Sequence, residues 1–265
     1  MSRMPAGQLA EQSRSLYERA KIAAYYARDT AITLGESVVL QRCRADYVLK
    51  HVLDLGVGAG RTTAWLAPNS ASYVGLDYSR TMVTLCKARH PGRTILWGDA
   101  RDLSAFEDAR FDFVFFSYNG IDAAGHADRE RILGEIARVI RPGGMFAFSS
   151  HNLDCIRHRP MHRDILRMNS RPWPIGLLKH FARVLIRIRN AIRNRRIEVR
   201  SSEYAVLIDR GHNLAFVSYH IGPQAQARQL ANAGFSLIEV LDREGLPVMD
   251  TSESHFLHYL ARRNG

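Results

Sequence analysis

Three cysteines in 265 residues (Cys43, Cys86 and Cys155) are too scattered, and odd in number, to form a disulfide framework. With no CxxC pair a structural zinc site is not expected either, and a reducing compartment fits. No run of about 18 apolar residues occurs, which excludes a bilayer-spanning helix. The opening Met1-Ser-Arg-Met-Pro-Ala-Gly-Gln8 has no apolar centre of the kind a secretory leader needs, so the expected location is cytoplasmic. Only 9 prolines and 19 glycines exclude collagen-like and low-complexity chains. What is present is ordinary: 46% hydrophobic and 24% charged residues fit a globular chain of one large domain or two small ones.

The charge is unevenly placed. The net charge of +11 arises from 37 Lys and Arg against 26 Asp and Glu. Between Cys155 and Arg200 stand thirteen basic residues and two acids (Asp164 and Glu198), which is the whole excess. A basic segment on a neutral body suggests an inserted piece facing something anionic, rather than a nucleic-acid binder throughout.

Periodicity divides the chain. Gln8–Arg28 predicts one helix and Glu36–Tyr47 a second. Short apolar strands are expected at His51–Leu55, Ala71–Leu76, Arg93–Trp97, Phe111–Phe116 and Met145–Ser150. Between them lie helices at Arg61–Ala67, Ser79–Arg89 (Ser79 as N-cap) and Asp128–Ile140. Alternating strands and helices at this spacing argue for a parallel, doubly wound sheet. Beyond the basic segment, Glu203–Asp209 and Leu214–Ile221 read as a hairpin. Gln224–Ala233 reads as a helix closed by Gly234, then two last strands follow at Phe235–Leu241 and His255–Ala261.

The strongest local signal is Val52-Leu-Asp-Leu-Gly-Val-Gly-Ala-Gly-Arg61. A strand running into glycines and then a helix places bare backbone where a ligand can approach. The dinucleotide pattern G-x-G-x-x-G/A fails, because Arg61 occupies its third glycine. This segment resembles motif I of the class I S-adenosylmethionine-dependent methyltransferases. Four further segments are similar in order and spacing: Gly75-Leu-Asp-Tyr-Ser79, Gly98-Asp-Ala-Arg-Asp-Leu103, Phe111–Ser117 and Leu133–Gly144. The resemblance covers about Val52–Ser150. It implies an α/β, Rossmann-like class I methyltransferase fold: a seven-stranded, mostly parallel sheet, only the last strand antiparallel, with helices on both faces and an inserted cap. The division expected is an N-terminal helical cap (1–50), a core (51–152 and 222–265) and a basic helical insert plus hairpin forming a substrate cap (153–221).

The implied cofactor is S-adenosyl-L-methionine, with S-adenosyl-L-homocysteine as product. Asp77 would take the ribose diol through two charge-assisted hydrogen bonds. Asp99, with Ala100 and Arg101 beside it, would meet the adenine amino group, although Asp99 could equally cap a turn. Asp54 and the carbonyls of Gly56, Gly58 and Gly60 would face the methionyl ammonium. Arg61 and Thr62 would contact the carboxylate or only cap a helix. Tyr78, Met82 and Leu103 would wall the adenine, although Tyr78 and Met82 could equally belong to the core. Ser79 stands beside them, and Ser117 and Tyr118 would end the fourth strand beneath the sulfonium.

The acceptor is less legible. An O- or N-acceptor of high pKa needs a base at the carboxyl ends of strands four and five. His151 is the first choice and Asp122 the second, as base or orienter; His151 could also be a structural histidine. Tyr26, Asn119, Asn152 and His220 are candidate substrate contacts, with Tyr25 and Glu36 as alternatives. No [DNS]-P-P-[YFW] motif follows the fourth strand and no cysteine lies there, which argues against DNA-base methylation. The acids are not spaced for a metal, and none is expected. The partner expected is a small-molecule acceptor, a saccharide or biosynthetic intermediate. RNA- or lipid-directed methylation and a non-catalytic cofactor-binding protein stay open, as does the oligomeric state.

Ile175–Arg196 predicts an amphipathic helix with Leu177, Phe181, Leu185, Ile188 and Ile192 on one stripe and Lys179, Arg183, Arg187, Arg193 and Arg196 away from it. The plain expectation is that the stripe packs on the domain while the arginines face water. Alternatives are a helix lying peripherally on an anionic membrane, or a lid over an anionic substrate. Pro172-Trp-Pro174 before it reads as a rigid hinge or an anchor.

Overall fold

The computed structural model describes residues 7–156, 174–209, 212–249 and 253–265; the side chains of 156 and 174–180 lie outside that description, as do Pro172 and Trp173 of the expected hinge. Helices α1 (Gln8–Tyr17), α2 (Ala20–Arg28), α3 (Leu34–Arg42) and α4 (Arg44–Tyr47) precede strand β1 (His51–Leu55). Then come α5 (Thr63–Leu66), β2 (Ser72–Asp77), α6 (Arg80–Arg89), β3 (Thr94–Trp97), β4 (Phe111–Phe116), a 3-10 turn (Gly120–Ala123), α7 (His126–Val139) and β5 (Ile140–Asn152). The rest is α8 (Leu153–Ile156), α9 (Pro174–Arg195), β6 (Val199–Arg200), β7 (Tyr204–Ile208), a 3-10 turn (His212–Leu214), β8 (Val217–Ile221), α10 (Pro223–Asn232), β9 (Phe235–Leu241) and β10 (Phe256–Arg263).

The sheet runs β3-β2-β1-β4-β5, all parallel, and continues through β10, antiparallel to β5, to β9. These seven strands are the expected sheet, with β10 alone reversed. β8 pairs with β5 only at its tip, His151 opposite His220 and Asn152 opposite Ile221, and carries β7 and β6 as an antiparallel ribbon. Side-chain alternation divides the core. Val114 and Phe116 join Phe146, Phe148, Ile132 and Leu133 on one face, while Phe113 and Phe115 join Met145, Ala147, Val39 and Tyr47 on the other.

Two expectations are corrected. The single helix over Gln8–Arg28 is broken at Glu18 and Arg19, where Arg19 is extended. Glu18 leaves the helix to accept bonds from Arg80 N (2.7 Å), Thr81 N (3.1 Å) and Thr81 Oγ1 (2.6 Å), which caps α6 from outside. The stripe of α9 is not buried as expected: Phe181, Leu185, Ile188 and Ile192 are largely exposed, while Leu177 lies outside the described side chains. The helix is held instead by its polar side. Asn194 donates to Leu214 O (2.8 Å) and accepts from Gln12 (2.9 Å), and Asn190 donates to Asn213 O (2.9 Å). Among the described residues no helix is long and apolar enough to cross a membrane.

Candidate active site

At the carboxyl end of the sheet a cavity opens between the strand tips and helices α1 and α2. Its floor is the loop after β1. Gly56, Gly58 and Gly60 all have positive φ (62°, 55° and 89°), a region L side chains rarely enter. A Cβ at Gly60 would lie 2.5 Å from the His90 ring, and one at Gly56 would lie 2.7 Å from Phe116. Gly56 and Gly58 line the cavity; Gly60 is turned toward His90 instead.

β2 delivers Asp77 to the same floor. The Asp77 carboxylate accepts from Gly58 N and Ser79 N, both at 2.8 Å, so loop, acid and the start of α6 form one unit. Burial pushes its pKa up to about 6 against these two donors. Both oxygens keep further acceptor capacity. Ser79 itself caps α6 by accepting from Met82 N (3.2 Å) and does not line the cavity, whereas Tyr78 and Met82 do.

Asp54 lies beneath the loop, outside the lining. Its Oδ2 accepts from Thr62 (2.6 Å) and Tyr73 (2.8 Å), while Oδ1 is buried without a partner among the described residues. Burial pushes its pKa up to about 7. Arg61 and Thr62 line the cavity. The Arg61 guanidinium is committed to Glu36 by a bidentate ion pair and lies 4.7 Å from the Tyr118 ring centroid. Glu36 also closes a capping box with Thr33 on α3, which removes it from substrate contact.

After β3, Asp99, Ala100 and Arg101 line the far wall. Arg101 holds the Asp99 carboxylate through Nε and Nη2 (2.7 Å) and its backbone N–H (2.9 Å). Burial alone would raise the Asp99 pKa; Arg101 outweighs it and holds the group ionised. The roof is aromatic. Tyr17 and Tyr26 have centroids 5.4 Å apart, and Tyr78 and Tyr118 stand 6.2 and 6.3 Å from one or the other. Sequence reasoning missed Tyr17, Asp29, Ala10 and Phe116, all of which line the cavity. Tyr17 carried a usable signal, one helix before Tyr26; Asp29 and Ala10 carried none.

Where β4 ends, Ser117 and Tyr118 line the cavity, and Tyr118 and Asn119 adopt consecutive left-handed conformations (φ 54° and 56°), a strained turn for such side chains. Behind it lies a polar chain. Asp122 is buried and accepts from Arg129 Nη1 (2.5 Å), Ser150 Oγ (2.7 Å), His151 N (2.6 Å) and His151 Nδ1 (2.7 Å). Burial works to raise the Asp122 pKa, but the Arg129 charge wins and lowers it. A carboxylate so committed orients its neighbour and does not serve as a base. His151 donates Nδ1–H to Asp122, which leaves Nε2 as its acceptor, 3.4 Å from the Asn119 amide. Burial works to lower the His151 pKa; Asp122 outweighs it and raises it.

His151 and Asn119 both lie outside the cavity lining, Asn119 next to Ser117, Tyr118 and Gly120, which belong to it. His220 is 4.8 Å from His151 ring to ring, bonded to Ser218 (3.0 Å), and burial pushes its pKa down to about 3, so it stays neutral. Asn152 is turned away: it donates to Ser254 O (3.1 Å) and accepts from Asp154 N (3.0 Å), which leaves no amide group for a substrate. Arg129, fully buried and bonded to Gln226 and Gln229 besides Asp122, was missed because an arginine on the core face of a helix has no sequence signature. No group of His, Cys, Asp and Glu among the described residues could hold a metal.

Glycine loop, strand-end acid and third-strand acid all border this cavity. A family described as "Methyltransferase domain" matches residues 53–148. Over those residues the chain is similar to a methyltransferase domain. Its sequence relatives include the phthiotriol/phenolphthiotriol dimycocerosates methyltransferase of Mycobacterium tuberculosis, 34% identical over 49% of this chain and 44% of that protein. Another is the fatty-acid O-methyltransferase of Mycolicibacterium smegmatis, 36% identical over 40% of this chain and 39% of that protein. The chain thus aligns with less than half the length of these relatives. In fold the chain resembles the 1,6-didemethyltoxoflavin-N1-methyltransferase of Burkholderia thailandensis, solved with S-adenosylhomocysteine (TM-score 0.61, 14% identity, 100% of this chain and 93% of that one). An S-adenosylmethionine-dependent methyltransferase of Clostridium acetobutylicum is similar too (TM-score 0.58, 12% identity, 96% and 99%).

Proposed function

We propose that this protein transfers the methyl group of S-adenosylmethionine to an oxygen of an amphipathic or lipid-like acceptor. The observation that carries the cofactor is Asp77, fixed by Gly58 N and Ser79 N at the cavity floor with acceptor capacity left for a diol. Asp99 and Ala100 stand where an adenine amino group would be read, Tyr78 and Met82 beside them. The orphaned Oδ1 of Asp54, under the glycine loop, fits a cationic group reached through water.

The cofactor supplies a methyl carbon already activated by its sulfonium. The chain's own residues then align and deprotonate. The acceptor hydroxyl would lie against the Tyr118–Asn119 turn. His151 Nε2 would take its proton as the hydroxyl oxygen accepted the methyl group that the bound cofactor would supply. Asp122 stabilises the resulting imidazolium, and Arg129 keeps Asp122 ionised. The tyrosine roof supplies apolar area for the acceptor, and the fatty-acid O-methylation named for one relative favours an oxygen acceptor of that kind over a saccharide.

Calorimetric titration with S-adenosylhomocysteine tests the cofactor. Wild type binds, and Asp77→Asn loses about a hundredfold in Kd, the worth of about one hydrogen bond to a charged group. A folded wild type that does not bind overturns the proposal. Labelled methyl transfer to hydroxylated lipids and fatty acids then tests the acceptor.

A further inference from the structure

The apolar stripe of α9 points away from the protein. Phe181, Leu185, Ile188 and Ile192 are 59%, 67%, 39% and 64% exposed, and at about 100° per residue they span an arc of roughly 60°. On the same wheel Arg189, Arg193 and Arg196 follow on one side of the stripe and Arg195 on the other, all exposed. From Pro174 to Ile197 the sequence has no acid. The inner side carries Asn190 and Asn194, bonded to the 212–215 backbone and to Gln12, with Ala191 packed against the ribbon core between them. A surface helix normally buries its apolar face and wets its polar one; α9 does the reverse.

We propose that α9 is a docking helix that lies in the headgroup layer of an anionic bilayer. The stripe enters the acyl boundary, and the flanking arginines lay their stems along it while their guanidinium groups meet lipid phosphates. Charge complementarity selects this occupant: a protein groove would accept the stripe but would not call for arginines on both flanks without one acid. The placement also suits the site. The 212–214 turn that receives Asn190 and Asn194 carries His212, whose Nε2 lies 3.2 Å from the Tyr26 hydroxyl, and Tyr26 roofs the cavity. Gln12, which also holds Asn194, is on α1 with the cavity-lining Ala10. Docking through α9 therefore brings the roof of the cavity toward the bilayer. Delivery of an acceptor from the bilayer rests on the methyl-transfer reading; docking itself does not.

Flotation with phosphatidylcholine vesicles containing or lacking phosphatidylglycerol tests it on the full chain. Wild type floats with the anionic vesicles and at least tenfold less with neutral ones. Leu185→Glu with Ile192→Glu abolishes flotation. Arg189→Gln and Arg193→Gln each reduce it by about fivefold. These positions are outside the cofactor cavity, so S-adenosylhomocysteine titration of the same preparations is unchanged and separates lost docking from lost folding or a wrong cofactor. The proposal fails if wild type ignores phosphatidylglycerol, or if the double glutamate variant floats like wild type. It fails also if light scattering shows that the stripe holds two copies together, or if the arginines bind single-stranded RNA while vesicles are not bound.

Discussion

His151 can serve as a base only while Nε2 is unprotonated, and Asp122 raises its pKa, so turnover falls as the pH drops through the raised histidine value. His151→Gln removes the base while keeping an amide near the Asp122 carboxylate. Its kcat is expected to fall about 10²–10⁴-fold with S-adenosylhomocysteine affinity unchanged, measured by labelled transfer and calorimetry. Equal turnover would return His151 to a structural role. Asp122→Asn is a different experiment. It leaves the fully buried Arg129 without its counter-charge, which costs about 3–5 kcal/mol and is read as a lower urea midpoint. The Asp122 pKa is lowered on folding, so its stabilisation is complete above the ordinary carboxylate range and is lost as pH falls below it. Asp77 behaves oppositely. Its pKa of about 6 means that a diol-accepting carboxylate is progressively lost on acidification, so cofactor affinity weakens as pH falls through 6.

At the scale of elements, two glycines make a controlled comparison. Gly60 holds φ +89° with the His90 ring and Cys86 sulfur closing the space where a Cβ would go. Gly60→Ala should lower stability by about 1–3 kcal/mol and weaken S-adenosylhomocysteine binding, because the loop must shift. Gly134, exposed within α7, has nothing within 4 Å of the position a methyl group would take, and Gly134→Ala should stabilise by about 0.5–1 kcal/mol with binding unchanged. Thermal unfolding and calorimetry check both. The strands were legible because Phe111–Phe116 and its neighbours are nearly continuous apolar runs, broken only by single polar residues such as Asp112 and Asp54, as buried parallel strands allow. The glycine loop was legible because its conformation restricts residue choice. The break at Glu18 was not, since its cause is the start of α6 more than sixty residues away. Nor was the outward stripe of α9: periodicity shows that a helix has two faces but not which one the domain receives. Asn190 and Asn194, the residues that decide it, look like solvent-facing positions until the 212–215 backbone is beside them.

At the scale of the whole molecule, the parts closing the cavity are less firmly held than the part beneath it. Both faces of the sheet carry extensive apolar cores, whereas α2 meets it through Ala23, Ala59 and Met82, with Tyr17, Tyr26, Ala27 and Leu85 around them. Leu9 of α1 instead joins the core of the β6–β8 ribbon, so the helical cover and the ribbon share packing that the sheet does not. Such a cover opens locally at lower free energy than the sheet unfolds. A cofactor seated between cover and strand ends must leave before Tyr17 and Tyr26 can move away, and every such opening is therefore opposed by the binding free energy. At a ligand concentration of 100 Kd this adds about 2.7 kcal/mol. Amide exchange within Gln8–Arg28 should then slow about a hundredfold on adding S-adenosylhomocysteine. The Asp242–Gly245 turn, which takes no part in the cavity, should exchange at its former rate. Binding that left Gln8–Arg28 unprotected would mean that these helices do not close over the cofactor, and the tyrosine roof would have to belong to the acceptor alone.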